Sequence, residues 1–218
     1  MSDRRYRRTH VRRRGFTILE LMIASSVFAV ILLVVAVGVQ RFTSGYFKGV
    51  TSSQTQATAR NIMSDVSQAI EFGTNITPTV TSSGVSGLCI DNTLYSYAVG
   101  QQVTDTAPNS GKHQANHALV VSNPSSCTAS TTPSLPNNPL PSGSRELLGQ
   151  HMRLSAFSVT GSGSLYTIHI RIIYGDDDLL TPAVSGSTNW ATENCSGTAG
   201  SQFCAVSDLQ TTVERRVL

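Results

Sequence analysis

One long N-terminal helix packed against an antiparallel β-sheet head, an α+β architecture, is what this 218-residue chain predicts. Three observations carry that expectation. Residues 21–40, LMIASSVFAVILLVVAVGVQ, hold no charge, and no proline occurs before Pro78. Further on, Tyr166, Ile168, Ile170, Ile172 and Tyr174 alternate with Leu165, Thr167, His169, Arg171 and Ile173, the period of a strand with one strongly apolar face. Outside the apolar block the chain is rich in Ser, Thr, Gly and Asn, a poor composition for a helical bundle. Only 13% of residues are charged, which argues against a charged disordered chain.

The apolar block is the first element. Its residues, at a rise of about 1.5 Å each, cross the hydrocarbon core of a bilayer. Seven arginines (Arg4, Arg5, Arg7, Arg8, Arg12, Arg13 and Arg14) precede it, and Arg41 follows it at once. The positive-inside rule then puts the N-terminus in the cytoplasm and the body outside. A cleavable secretory signal fits poorly, because the apolar run is too long and lacks a small-residue cleavage site at its end. A plain single-pass anchor is not separated from other readings by hydropathy. Glu20, at the edge of the run, stands out: a carboxylate near a membrane is costly and usually means a partner, while on hydropathy alone a snorkelling or accidental acid stays open.

The formal net charge of +3 conceals an asymmetry. Without residues 1–15, nine basic residues face twelve acidic ones, a balance of about −3. A body that grips nucleic acid broadly through phosphates is disfavoured, and only a local patch leaves that partner open.

Beyond the block, residues 41–72 continue the helix as an amphipathic half. Phe42, Tyr46, Val50, Ile62, Val66, Ala69 and Ile70 recur mostly at three- or four-residue spacing. Ile62, Met63, Val66, Ala69 and Ile70 are the expected contacts with the head. The Ser/Thr-rich stretch 51–58 is the place where the helix would break, and Gly38, Gly45 and Gly49 are points for bends or close packing. Gly73 and Pro78 mark its stop. Strands are expected at Leu88–Asp91, Leu94–Val99, Ala118–Ser122, Ser155–Thr160, Leu165–Tyr174 and Phe203–Val206, with residues 208–218 a short strand or another terminal element. Gly161-Ser162-Gly163-Ser164 reads as a hairpin turn. Five prolines make residues 123–143 a long surface loop, and 100–117 reads as a softer one.

Cys89, Cys127, Cys195 and Cys204 all lie beyond the membrane block and form no CxxC motif. Three pairings are open. A local clip Cys195–Cys204, with Cys89–Cys127 closing the loop-rich centre, is favoured; free thiols stay open while the compartment is unassigned. Asp176, Asp177 and Asp178 follow a strand end, and such hard carboxylates are weak calcium candidates by chemistry; a solvated turn is the favoured explanation. His113 and His117 stand four apart without the intervening Glu of a zincin. No Walker loop, dinucleotide fingerprint or nucleophile motif is present in the sequence, so the reading is non-enzymatic, with no cofactor beyond the calcium candidate.

The stretch Arg12-Arg13-Arg14-Gly15-Phe16-Thr17-Ile18-Leu19-Glu20-Leu21-Met22 resembles the class III signal of type IV prepilins and pseudopilins. In that family a short basic leader ends in Gly, Phe commonly follows, and the fifth residue after the cut is Glu. Gly15, Phe16 and Glu20 occupy those positions. The resemblance implies cleavage after Gly15 by a membrane prepilin peptidase and methylation of the Phe16 amine. It implies as partners other pilin or pseudopilin subunits, the inner-membrane assembly platform and the lipid bilayer. Glycine at the cut leaves an extended scissile backbone unobstructed, and Glu20 would pair with the Phe16 ammonium of a neighbouring subunit. Cys195–Cys204 is similar to the C-terminal disulfide loop of some pilins, though shorter than the loops of major ones.

The expected organisation is therefore a basic leader over 1–15, a transmembrane half-helix over 16–40, an amphipathic half-helix over 41–72 and an extracytoplasmic β-rich head over 73–218. The resemblance implies a structural subunit of a pilus-like filament. A minor subunit is favoured, serving adhesion, motility, DNA uptake or secretion. The rival is an uncleaved, membrane-anchored receptor or binding protein; a membrane enzyme is the third and weaker reading.

Overall fold

The computed structural model describes residues 15–105, 113–181, 190–197 and 199–216. The chain divides between Thr43 and Ser44 into two compact units. A single helix, α1, runs Ile18–Phe72. It begins two residues later than the predicted Phe16, because Thr17 caps it: the Glu20 amide donates to Thr17 Oγ1 at 3.2 Å. The Ser/Thr-rich stretch does not break it. Thr55 Oγ1 donates to the Thr51 carbonyl at 2.8 Å, so the buried hydroxyl is satisfied within the helix.

In the second unit, α1 buries Thr51, Thr55, Ala59, Ile62, Val66 and Ile70. These positions recur every three or four residues and so form one face. Ile62, Val66 and Ile70 belong to the main core, with Met63 and Ala69 packed against it. Thr51, Thr55 and Ala59 extend that face beyond the expected contacts; their small or polar side chains give no apolar signal in the sequence.

Among the described residues the head holds two five-stranded sheets rather than one. The strands in chain order are β1 (Ile76–Pro78), β2 (Ser86–Ile90), β3 (Thr93–Tyr97), β4 (Gln102–Val103), β5 (Gln114–Ala115), β6 (Leu119–Ser122), β7 (Arg145–Glu146), β8 (Met152–Ser162), β9 (Leu165–Tyr174), β10 (Leu180–Thr181), β11 (Asn194–Cys195) and β12 (Ala205–Glu214). The first sheet has the order β1-β2-β3-β6-β7, the second β12-β9-β8-β4-β5, and β10-β11 form a separate pair. All pairs are antiparallel except β4 with β5. The apolar face predicted for β9 lies inward: Ile168, Ile170 and Ile172 are fully buried in the same core as Ile62, Val66 and Ile70. Each such side chain contributes about 1.5–3 kcal/mol of burial.

The expected boundaries shift where local geometry overrides alternation. β8 starts at Met152, not Ser155, because a bulge between Leu154 and Ala156 changes the phase of the alternation there. The segment Phe203–Val206 is not a separate strand. Phe203 closes a 3₁₀ turn, Ser201–Phe203, and the strand begins at Ala205 and continues through Glu214, absorbing most of the predicted terminal element. Gly163-Ser164 form the tight β8–β9 turn, between paired Ser162 and Leu165. Gly161 has φ 152°, and a Cβ there would collide with the Leu165 carbonyl.

Candidate processing and assembly site

Gly15, Phe16 and Thr17 precede the helix and take no regular structure. A Cβ on Gly15 would meet nothing within 4 Å, so packing among the described residues does not require glycine there. Thr17 is the N-cap, with its hydroxyl on the Glu20 amide and its carbonyl accepting from the Leu21 amide at 3.2 Å. Thr17-Ile18-Leu19-Glu20 has the spacing of a capping box, a local signal that places the helix start more closely than hydropathy does. Glu20 falls in the first helical turn, where the helix dipole favours a carboxylate. Phe16 and Ile18 are 80% and 81% exposed, so this end of the chain presents its motif residues rather than packing them. Arg12, Arg13 and Arg14 lie outside the described residues.

The helix that follows is long and apolar enough to cross a membrane. Its most apolar window has a mean hydropathy of 2.8 and none of it is buried. Leu21, Phe28, Leu33 and Val39 are among its exposed large side chains. Such a surface needs lipid or other helices around it.

These geometric features coincide with the one comparison that identifies part of the chain. Residues 11–36 match the family described as the prokaryotic N-terminal methylation motif. The chain carries the type IV prepilin/pseudopilin signature. The match to this prepilin signature contains Gly15, Phe16 and Glu20 and most of the apolar run, through residue 36. No curated protein and no solved structure matches the chain.

The remaining candidate residues lie in the head. Cys89 is bonded to Cys127 and Cys195 to Cys204, with Cα–Cα distances of 5.6 and 5.7 Å. The first ties β2 to the proline-rich loop; the second ties β11 to the start of β12. Asp176 accepts from Gln102 Nε2 at 2.8 Å and lies 3.6 Å from His151 Nδ1. Asp177 pairs with the buried Arg153 at 2.5 Å and lies 3.6 Å from His113. Asp176 and Asp177 thus face an amide, an arginine and two imidazoles, and among the described residues no group of three or more His, Cys, Asp or Glu is placed to hold a metal. His117 does not join His113; it faces Glu146 at 3.5 Å.

Several polar residues that organise the head carry no sequence signal. Arg153 and Arg171 sit on the outer face of β8 and β9, 0% and 6% exposed. Arg171 donates to the Ala191 and Glu193 carbonyls and to Asn194 Oδ1, and the Ser155 hydroxyl donates to the Trp190 carbonyl. Together they hold the segment Trp190–Asn194 over a face that alternation assigns to solvent. Burial pushes the Glu193 carboxyl up, against the pull of Arg153 and Arg171. Glu146 accepts from the amides of Ala118, Leu119 and Leu148 at 2.9–3.0 Å. Its burial nonetheless outweighs those bonds and the nearby His117, and raises its pKa.

Proposed function

We propose that the chain is a structural subunit, a minor pilin or pseudopilin, of a type IV pilus-like filament. The observation that carries this is the position of Gly15, Phe16 and Glu20, within the methylation motif and at the head of an exposed apolar helix. A prepilin peptidase removes residues 1–15 and the new Phe16 amine is methylated. Before assembly, the segment 16–40 holds the subunit in the cytoplasmic membrane, with the leader inside and the disulfide-bonded head outside. On assembly, lipid contacts around the helix are exchanged for helix–helix contacts.

Charge explains why cleavage precedes assembly. Seven arginines on the leader would have to be buried in a packed filament core, at a cost no single carboxylate offsets. Removing them leaves one ammonium at Phe16 and one carboxylate at Glu20. The two neutralise each other between neighbouring subunits. The head then supplies surface or tip contacts, and no catalytic role is assigned to it. The test is the intact mass and N-terminal sequence of the membrane-isolated protein, with and without active prepilin peptidase. A chain that begins at methylated Phe16 only when the peptidase is active supports the reading. A stable chain that retains Arg12–Gly15 despite active peptidase overturns it in favour of an uncleaved anchor.

A further inference from the structure

Tyr46, Phe47 and Phe203 make an exposed aromatic patch outside the core. Phe203 ends the turn Ser201–Phe203, and its ring lies 5.3 Å from that of Phe47, centroid to centroid; Tyr46 meets Phe47 edge-on at 6.0 Å. The three remain 62%, 41% and 44% exposed for Tyr46, Phe47 and Phe203, and Val50 beside them is 46% exposed. A helix and a disulfide-closed loop, distant in sequence, thus present one apolar surface to the surroundings.

On the helix side the charges around this surface are positive; on the far side of Phe203 a smaller hollow is shared with Asp176, whose carboxylate faces His151. No acidic residue occurs between Glu20 and Asp65, where the charged residues are Arg41, Lys48 and Arg60. Residues 194–207, which contain Phe203, carry no charge. A cleft of about 420 Å³ is lined by Lys48, Ser52, Asn194, Ser196 and Ser201, with no carboxylate in its wall among the described residues. The Lys48 ammonium with the Ser52 and Ser201 hydroxyls suits a phosphate group, while the Asn194 amide in the wall is held by Arg171 and the Thr192 carbonyl.

Position in the chain decides the occupant. Phe47 comes seven residues after Gln40, where the uncharged run ends. Aromatic rings with a polar or cationic neighbour are the side chains that settle at a membrane–water interface. Helical side chains also lean toward the helix N-terminus, here toward the apolar run, and a lysine stem extends its ammonium to the phosphate layer. A second copy of the chain would have to bring a carboxylate to Lys48, whereas membrane phosphates are already present where the chain leaves the bilayer.

We infer that Tyr46, Phe47 and Phe203 form an interfacial belt that seats the head on a phospholipid surface, with Lys48 and the serine-lined cleft taking a lipid phosphate. This rests on the membrane-crossing part of the reading above and not on processing or filament assembly. Before extraction, the belt fixes how the disulfide loop meets the membrane.

The test uses the full chain in vesicles of phosphatidylethanolamine and phosphatidylglycerol, with lipids brominated just below the headgroup or near the chain ends. Phe203→Trp reports on the belt and Val30→Trp on the span, each corrected for Trp190, the sole native tryptophan. Tyr46→Trp reports on the same surface should the loop variant misfold. Shallow bromines are expected to quench the Phe203→Trp signal roughly twofold, and deep ones Val30→Trp. Quenching of Val30→Trp alone overturns the belt and leaves the span intact. Quenching of neither overturns both. Shielding of Phe203→Trp that grows with protein-to-lipid ratio, without bromine quenching, assigns the surface to a second copy and also overturns the belt.

Discussion

A single carboxylate oxygen of Asp91 holds Thr74 twice: Oδ1 accepts from the Thr74 amide at 2.9 Å and from its hydroxyl at 2.7 Å. The same oxygen accepts from the Asn75 amide at 2.9 Å. Asp91 therefore gathers the chain as it leaves α1 and directs it into β1. It does so from the β2–β3 turn, in a left-handed conformation with φ 51° that Asp tolerates.

Burial by itself would raise the Asp91 pKa, but the Thr74 hydroxyl, the Asn75 and Thr74 amides and Arg215 together lower it. A depressed carboxyl contributes stability above its unfolded pKa and loses it as pH falls through the folded value, below the ordinary 3.8. Asp91→Ala is expected to cost about 1–2 kcal/mol at neutral pH. Asp91→Asn keeps an acceptor and should flatten the acid limb. Denaturant titrations of the full chain in detergent, at neutral pH and in acid, check both.

Glu146 should show the opposite slope. Its folded pKa is raised by burial despite three amide donors, so its contribution is fully present below the unfolded pKa and is lost as pH rises through the folded value. Glu146→Gln keeps one carbonyl oxygen for the Leu119 and Leu148 amides but turns an NH2 donor toward the Ala118 amide, and is expected to cost about 1–2 kcal/mol at neutral pH. Glu146→Ala leaves the Ala118, Leu119 and Leu148 amides without this acceptor and should cost about 2 kcal/mol or more. The same titration series separates the two variants.

Gly100 makes room for Trp190. It has φ 86°, and a Cβ there would occupy the indole's position. Gly100→Ala is expected to lose about 2 kcal/mol or more through strain and displacement combined. Trp190 is the only tryptophan, so its emission should shift to longer wavelength as the segment Trp190–Asn194 lifts from Arg153 and Arg171.

The two disulfides close loops of different length, with sequence separations of 38 and 9. Chain entropy makes the longer closure more stabilising by about 1 kcal/mol. Replacing Cys89 and Cys127 together by Ser should therefore lower the denaturation midpoint more than replacing Cys195 and Cys204.

Glu20→Ala is expected to leave cleavage after Gly15 intact and to reduce incorporation into filaments, measured by pulldown and microscopy. Native-level incorporation would remove Glu20 from assembly. Thr17→Ala, which deletes the cap but no charge, should fray the first turn by about 1 kcal/mol and so tests whether helix order at this end matters separately.

The sequence by itself determined the motif, the uncharged apolar run and the apolar face of β9. Gly15, Phe16 and Glu20 are recognisable by spacing along one short segment, and the uncharged run and the Ile168-Ile170-Ile172 alternation are periodic signals that need no partner to be read. Four cysteines allow three pairings; the sequence favoured Cys89–Cys127 with Cys195–Cys204 but left the others open, and the tertiary structure joins those two pairs, because pairing depends on which distant backbones approach. It alone placed Thr51, Thr55 and Ala59 in the buried face of α1, since small and polar side chains announce burial only when a sheet lies against them. It also covered Arg153 and Arg171. Alternation in Leu165–Tyr174 puts Arg171 opposite the apolar face, and Arg153 precedes the predicted strand; a later segment, bonded to Arg171 and with Trp190 against Arg153, makes that outside an interior.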